Sequence, residues 1–214
     1  MASLIRARQQ VARGASTPHF VAIGQGNPNK GTALPRVAAE LDDVAHHVAP
    51  MLPLTSLADD DATVQRALDA LSRHQWLHLA CHGKPNRRKP FESSFAMRDG
   101  PLTITDIIRS HLQNPQFAFL SACHTTVGHM SSPDEAIHLA AAMQFSGFRS
   151  VIGSMWSVDD DVAAQLVSAF YGNMFDGSGR LDYTYAAVAL HKAVKKMRKE
   201  IPLERLIVFI HIGA

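Results

Sequence analysis

Short apolar runs alternate with helical periodicities from His19 to the end of the chain, and this alternation restricts the folds that the chain can adopt. Strands separated by helices favour a largely parallel sheet that is covered by helices on both faces. The runs that we predict as main strands are His19–Gly26, Met51–Leu57, Trp76–His82, Phe117–Cys123, Ser150–Val158 and Leu206–Ile212. The sequence therefore predicts an α/β domain with a mostly parallel sheet of about six strands.

Helix signals lie between these runs. Pro35 opens one apolar periodicity, and Ser132-Pro133-Asp134-Glu135 combines a capping residue, a proline and a capping-box glutamate at the start of another. The segment Phe95–Leu102 contains Asp-Gly between apolar pieces and predicts a small hairpin. We expect one domain over residues 19–214, with residues 1–18 as a linker or the end of a preceding segment.

Composition excludes several functional classes. A formal net charge of +2 is too small to indicate a nucleic-acid partner, and no apolar run approaches the ~18 residues of a membrane span. The start of the chain lacks the apolar core of a signal peptide. The two cysteines, Cys81 and Cys123, do not form a disulfide framework and suit a reducing compartment. These features predict a cytoplasmic protein without nucleic-acid or membrane partners.

Metal and cofactor sites are not expected either. Twelve histidines and two cysteines invite a zinc interpretation, but the adjacent pairs Cys81-His82 and Cys123-His124 each divide between opposite faces of a strand. The chain also has no Cys-x-x-Cys spacing. The glycine-rich stretch at 24–31, GQGNPNKG, lacks the Gly-Lys-Ser/Thr ending of a phosphate-binding loop.

Cys123 and His82 are the candidate catalytic pair. Each ends a predicted strand, and functional residues gather at the carboxyl ends of parallel strands. An imidazole beside a thiol can act as its base and stabilise the thiolate. The backbone N–H groups of Gly83 and Cys123 are candidates for an oxyanion hole. The alternative for Cys123 is that of a small buried hydrophobe, which is also our prediction for Cys81.

Four segments in the same order resemble the CHAT family, whose members are caspase-like domains often found at the carboxyl end of repeat-containing proteins. They are HLACHG (78–83), FLSACHTT (119–126), DEAIHLAAAMQFSGFRSVIG (134–153) and SMWSVDDD (154–161). The resemblance implies a caspase-like fold and a cysteine endopeptidase, with the family's histidine at His82 and its cysteine at Cys123. It also implies a protein or peptide substrate, a signalling or cell-death/defence pathway, and an activating or repeat-containing regulatory partner. The alternative is a catalytically silent interaction or regulatory module with the same fold.

The pocket for the residue before the scissile bond is expected at Ser154, Met155 and Trp156, together with the start of the following helix. Asp159, Asp160 and Asp161 open that helix, where capping and the helix dipole explain carboxylates. The functional alternative is that one of these three carboxylates, together with Trp156, lines the pocket. Separases, which are also caspase-like, use an acidic residue to receive a basic side chain of the substrate. The corresponding position here is near Ala164, which is not acidic, so a preference for Arg or Lys does not carry over. We favour an apolar pocket.

Overall fold

The computed structural model describes residues 18–29, 32–86, 88–124, 134–154, 160–175, 180–206 and 208–213, with the backbone alone described at 122–124, 134–138 and 160. The strands are β1 (Phe20–Gly24), β2 (Leu54–Ala58), β3 (Trp76–Lys84), β4 (Ser94–Ala96), β5 (Pro101–Thr103), β6 (Phe117–His124), β7 (Ser150–Ser154) and β8 (Phe209–Gly213). The helices in these residues are α1 (Val37–Val48), α2 (Val64–Leu71), α3 (Ile104–Arg109), α4 (Asp134–Phe145), α5 (Asp160–Tyr171), α6 (Ala186–Met197) and α7 (Leu203–Leu206).

The main sheet has the strand order β2-β1-β3-β6-β7-β8. Its first five strands are parallel, and β8 runs antiparallel to β7. The reversal has a simple cause: two long helices, α5 and α6, and the short α7 lie between β7 and β8, and the two long helices return the chain to the opposite end of the sheet. The prediction of a mostly parallel α/β sheet is confirmed, and β8 is the exception in strand direction.

The predicted hairpin adds two short strands to the end of β3. Strand β4 pairs antiparallel with β3 and with β5, and the turn between β4 and β5 is closed by the Met97 N–H, which donates to the Gly100 carbonyl at 2.9 Å. Asp99 in the same turn accepts from the Val64 N–H at 2.8 Å and so caps α2. The Asp-Gly signal therefore fixes both a turn and a helix start.

The two faces of the sheet carry separate apolar cores because successive side chains of a strand point in opposite directions. Trp76, Phe117 and Phe119 pack on the face covered by α1, α5 and α6. Leu79 and Cys81 pack on the other face, which α2, α3 and α4 cover. Helices on both faces are confirmed. Cys81 is fully buried in the second core, as the sequence predicts.

None of the helices in the described parts of the chain combines the length and the apolar character needed to cross a membrane.

Candidate active site

The pairing of β3 with β6 places His82 directly beside Cys123. The two parallel strands run in register from Trp76 opposite Phe117 to Gly83 opposite His124. Positions along a strand alternate between the two faces of the sheet, so position 82 is on the same face as Trp76 and position 123 is on the same face as Phe117. Neighbouring strands lie about 4.8 Å apart. The two candidate residues therefore stand side by side at the carboxyl end of the sheet.

A main-chain carbonyl holds the His82 ring. The His82 Nε2 atom lies 2.6 Å from the carbonyl oxygen of Thr32, and the residue is only 6% exposed. A carbonyl oxygen can only accept, so Nε2 carries the proton and donates it. The neutral ring then has its lone pair on Nδ1, the nitrogen that a base uses. This one hydrogen bond selects the tautomer of His82.

Thr32, which contacts the candidate base, is a residue that the sequence does not single out. It contributes its main-chain oxygen, which every residue possesses, so its side chain carries no signal. The resemblance to caspase-like domains suggests that a carbonyl can replace a third catalytic side chain, but it does not identify the residue. The fold supplies it from the segment between β1 and α1.

His78, the other histidine on this face of β3, is sealed inside the protein. It is fully buried and stacks against Phe119 with ring centroids 5.3 Å apart. Its Nε2 donates to the Glu40 carboxylate at 3.0 Å, and its Nδ1 lies 3.1 Å from the Tyr171 hydroxyl. Burial raises the pKa of Tyr171 well above its ordinary value, and the Glu40 charge adds to this. Both ring nitrogens are thus committed to buried partners, and His78 does not compete with His82 as an accessible base.

The predicted oxyanion-hole residues lie where three strands meet. Gly83 stands opposite His124 on β6 and opposite Phe95 on β4. Cys123 precedes the last residue of β6, opposite His82. The donor roles of the Gly83 and Cys123 N–H groups remain predictions.

The predicted substrate-binding residues are described only in part. Ser154 is buried at the end of β7 and pairs with Phe209 of β8, whereas the pairing of β6 with β7 ends at Leu120 opposite Gly153. Strand β6 thus continues four residues past its pairing with β7, from Ser121 to His124. Met155, Trp156 and Asp159 lie outside the described residues, and Asp160 is the first residue of α5.

Asp161 points to solvent and not to a pocket. Its side chain is 65% exposed and forms an ion pair with Arg36, the residue that precedes α1. Of the three consecutive acids, only Asp159 and Asp160 are left as candidates for the pocket.

No converging group of three metal-ligating side chains occurs where the structure describes side chains. Cys81 and His82 face opposite sides of β3: Cys81 is buried in the core beneath α2, α3 and α4, while His82 is held by Thr32.

A parallel sheet with helices on both faces, a hairpin on the third strand, and a His/Cys pair on neighbouring strand ends together define a caspase-like α/β fold. The chain belongs to the CHAT domain family, whose model matches residues 1–204.

Solved structures with the same fold include two proteolytic systems. The Arg-specific cysteine proteinase gingipain R (RgpB) has a TM-score of 0.64 at 13% identity, over 99% of this chain and 51% of that one. Separase in the Saccharomyces cerevisiae separase–securin complex has a TM-score of 0.60 at 16% identity, over 99% of this chain and 13% of that one. A complex of the pro- and mature domains of RgpB from Porphyromonas gingivalis has a TM-score of 0.58 at 13% identity, over 92% of this chain and 47% of that one.

This chain therefore spans about half of the gingipain chain and a small part of the separase chain. At sequence identities this low, the structural similarity establishes a shared fold alone. No curated protein sequence matches the chain significantly.

Proposed function

We propose that this domain is a cysteine endopeptidase in which Cys123 is the nucleophile and His82 the base. The observation that carries the proposal is the hydrogen bond from His82 Nε2 to the Thr32 carbonyl, on a strand that is in register with Cys123. A proton held on Nε2 puts the lone pair of the neutral ring on Nδ1, which we propose as the acceptor of the thiol proton, with the Thr32 carbonyl in place of a third catalytic side chain. Membership of the CHAT family and the caspase-like fold add support.

In the proposed reaction, His82 Nδ1 takes the thiol proton and the Cys123 thiolate attacks the peptide carbonyl carbon. A C–S bond forms while negative charge moves to the carbonyl oxygen, to which the N–H groups of Gly83 and Cys123 are proposed to donate. His82 then gives its proton to the amide nitrogen, and the C–N bond breaks. Water attacks the thioester with His82 accepting its proton, the C–S bond breaks, and the thiol is restored.

The substrate is proposed to be an extended protein or peptide segment that adds a strand next to β6 and the end of β7. Strand β6 runs on from Ser121 to His124 beyond its pairing with β7. On the β7 side of this stretch no strand is paired in the part of the chain that the structure describes, and we propose that the substrate pairs there. We further propose a cytoplasmic setting, in which Cys81 and Cys123 stay reduced, and control by an activating or repeat-containing partner within a signalling or cell-death/defence pathway.

Cleavage of a proteome-derived peptide library tests the proposed function. We expect cuts with the wild-type domain and none with Cys123→Ala, while His82→Ala should lower turnover by about 10²–10⁴-fold because the thiol loses its base and the amine its acid. A folded wild-type domain that cleaves nothing, alone or with its regulatory partner, would support a silent interaction module instead.

We propose a mainly apolar pocket for the residue before the cut, formed by Ser154 to Trp156. Asp161 is already paired with Arg36 at the surface, and a capping role for Asp159 and Asp160 is part of the proposal. Matched peptides with Met or Leu at this position should be cleaved faster than those with Arg or Asp. Preference for Arg that disappears in Asp160→Asn but not in the control Asp161→Asn would show that an acid turns inward. A strong preference for Asp would contradict both forms of the pocket.

A further inference from the structure

The segment between β1 and α1, which supplies the Thr32 carbonyl, is bonded to the sheet at its start and to itself at its end. At its start the Gln25 N–H donates to the Ala80 carbonyl at 2.9 Å and extends the pairing of β1 with β3. At its end the Leu34 N–H donates to the Gly26 carbonyl at 2.7 Å, and this bond closes the segment into a loop. Thr32 lies two residues before Leu34, so the bond from Leu34 to Gly26 sets where the Thr32 oxygen lies relative to Gly26.

One carboxylate from outside the loop holds its first turn. Asp59 Oδ1 accepts from the Gly26 N–H at 3.0 Å and from the Asn27 N–H at 3.2 Å. The fully buried Gln25 side chain completes the contact, since its Nε2 donates to the Asp59 carbonyl at 2.8 Å and its Oε1 accepts from the Asn27 N–H at 3.0 Å. The turn and Asp59 therefore satisfy one another's polar groups.

Asp59 meets the loop from a left-handed backbone conformation. Its φ of +44° lies in the left-handed region, which side-chain-bearing residues other than Asn and Asp seldom adopt. The residue directly follows β2 and opens the 3₁₀ turn Asp59–Asp61, so the backbone bends sharply where its carboxylate meets the loop.

Arg98 braces the same loop from the hairpin. Its Nη1 donates to the Asn27 carbonyl at 2.8 Å, and its own carbonyl accepts from Asn29 Nδ2 at 2.7 Å. Its Nε also pairs with Asp60 at 2.9 Å. Asp59 and Arg98 thus contact the loop from two sides. Of these two residues, Asp59 is the one that accepts from the Gly26 and Asn27 N–H groups, next to the bond that closes the loop.

We propose that Asp59 is a positioning residue for His82: its carboxylate fixes the loop that carries the Thr32 carbonyl, and that carbonyl fixes the tautomer of His82. The proposal rests on the proposed function, because it gives the His82 tautomer a catalytic purpose. Asp59 is not assigned any contact with substrate or with Cys123, and it acts through four links: its carboxylate, the Gly26 and Asn27 N–H groups, the Thr32 oxygen and the His82 ring.

The test compares three substitutions at Asp59 with one control. Asp59→Gly removes the carboxylate and tolerates the positive φ, so it separates the clamp from backbone strain. Asp59→Ala removes the carboxylate and adds strain, and Asp59→Asn keeps an oxygen that accepts both N–H groups. Asp61→Ala is the control, because Asp61 lies on the same turn and pairs with exposed Arg66 instead of the loop.

The first readout is the pair of ¹⁵N chemical shifts of the His82 ring in its neutral form. We expect the Nε2–H tautomer in the wild type, in Asp59→Asn and in Asp61→Ala, and a tautomer mixture in Asp59→Gly. A wild-type tautomer in folded Asp59→Gly would overturn the proposal, and so would a mixture in the wild type itself. This measurement needs no peptide cleavage, so it distinguishes failure of the clamp from failure of the proposed function.

The second readout is the pH profile of Cys123 alkylation by iodoacetamide. A base held by a displaced loop accepts the thiol proton less well, and misplacement of this kind costs up to about 100-fold. We expect alkylation at pH 7 to be about 10- to 100-fold slower in Asp59→Gly, with its rising limb moved to higher pH, and restored in Asp59→Asn. Equal profiles for Asp59→Gly and Asp61→Ala would overturn the proposal.

Discussion

Three side chains of β3, those of His78, Cys81 and His82, lie in three different environments. Cys81 and His82 are adjacent on the strand and therefore face opposite ways. Cys81 is fully buried beneath α2, α3 and α4. His82 faces the other side at the strand end, where the Thr32 carbonyl holds it. His78 shares that side four residues earlier, but it is enclosed between Glu40 and Tyr171. Cys81 and His78 are thus enclosed in the protein, and His82 is the residue of the three that we propose as the base.

The two cysteines should respond differently to substitution. Cys81→Ser puts a hydroxyl into an apolar core, and we expect it to lower the free energy of unfolding by about 1–3 kcal/mol while activity per folded molecule is kept. Cys123→Ala should abolish peptide cleavage with little loss of stability. Urea unfolding and cleavage rates at matched folded fraction check both expectations. Equal losses of activity in the two variants would contradict the assignment of the nucleophile.

At the scale of elements, a buried polar cluster of Glu40, His78 and Tyr171 joins α1, β3 and α5 below the candidate site. The cluster crosses the apolar core formed by these elements. Buried charges of this kind are costly when a partner is removed, because the remaining group keeps its desolvation penalty. The cluster therefore adds a polar link between α1 and the sheet to the apolar packing there, and the segment with Thr32 leads into α1.

Removing one member of this cluster should cost more than removing all three. We expect His78→Leu alone to lower the free energy of unfolding by about 3–5 kcal/mol, since it leaves the Glu40 carboxylate buried without its imidazole partner. The triple variant Glu40→Met, His78→Leu and Tyr171→Phe replaces the polar groups with apolar ones and should recover most of that loss. Urea denaturation measures both. A triple variant less stable than His78→Leu would show that the cluster is net stabilising as a whole.

At the scale of the whole molecule, two partly buried histidines link stability to pH. Burial lowers the pKa of His74, with smaller contributions of the same sign from His19 and Arg73, against the opposing hydrogen bond to the Ala70 carbonyl. Burial also lowers the pKa of His211, which bonds to Ser150 on β7 at 2.8 Å. Both rings are thus more easily protonated in the unfolded chain than in the folded one.

The sign of the pH effect follows from that difference. The unfolded chain binds more protons between the lowered folded pKa values and the ordinary value of 6.5. The stabilisation from the neutral rings is therefore complete above pH 6.5 and is lost as the pH falls through this window. The free energy of unfolding is measured with urea at pH 7.5 and 5.5. It should fall less on acidification in the double variant His74→Gln and His211→Gln than in the wild type. An unchanged loss would rule out these two residues as its source.

The sequence predicts the parts of this molecule that depend on local patterns. Buried strands such as β3 and β6 read as apolar runs, and the placement of His82 and Cys123 follows from where those runs end. Strand β8 is antiparallel because two long helices, α5 and α6, separate it from β7, and strand direction leaves no mark in a short apolar run. Burial of Glu40 is predictable from the sequence, because its spacing from Val37 and Val44 puts it on the buried face of α1. The contact made by the Thr32 carbonyl is not predictable in this way.

The central claim is that His82 activates Cys123, and His82-dependent labelling of Cys123 tests it most directly. Iodoacetamide labelling at pH 7, followed by mass mapping of both cysteines, is compared in the wild type, His82→Ala and the matched control His78→Ala. If His82 activates Cys123, we expect fast labelling at Cys123 in the wild type, labelling slower by about 10²-fold or more in folded His82→Ala, and near wild-type labelling in the folded fraction of His78→Ala. Equal labelling of Cys123 with and without His82, or dependence on His78 instead, would contradict it.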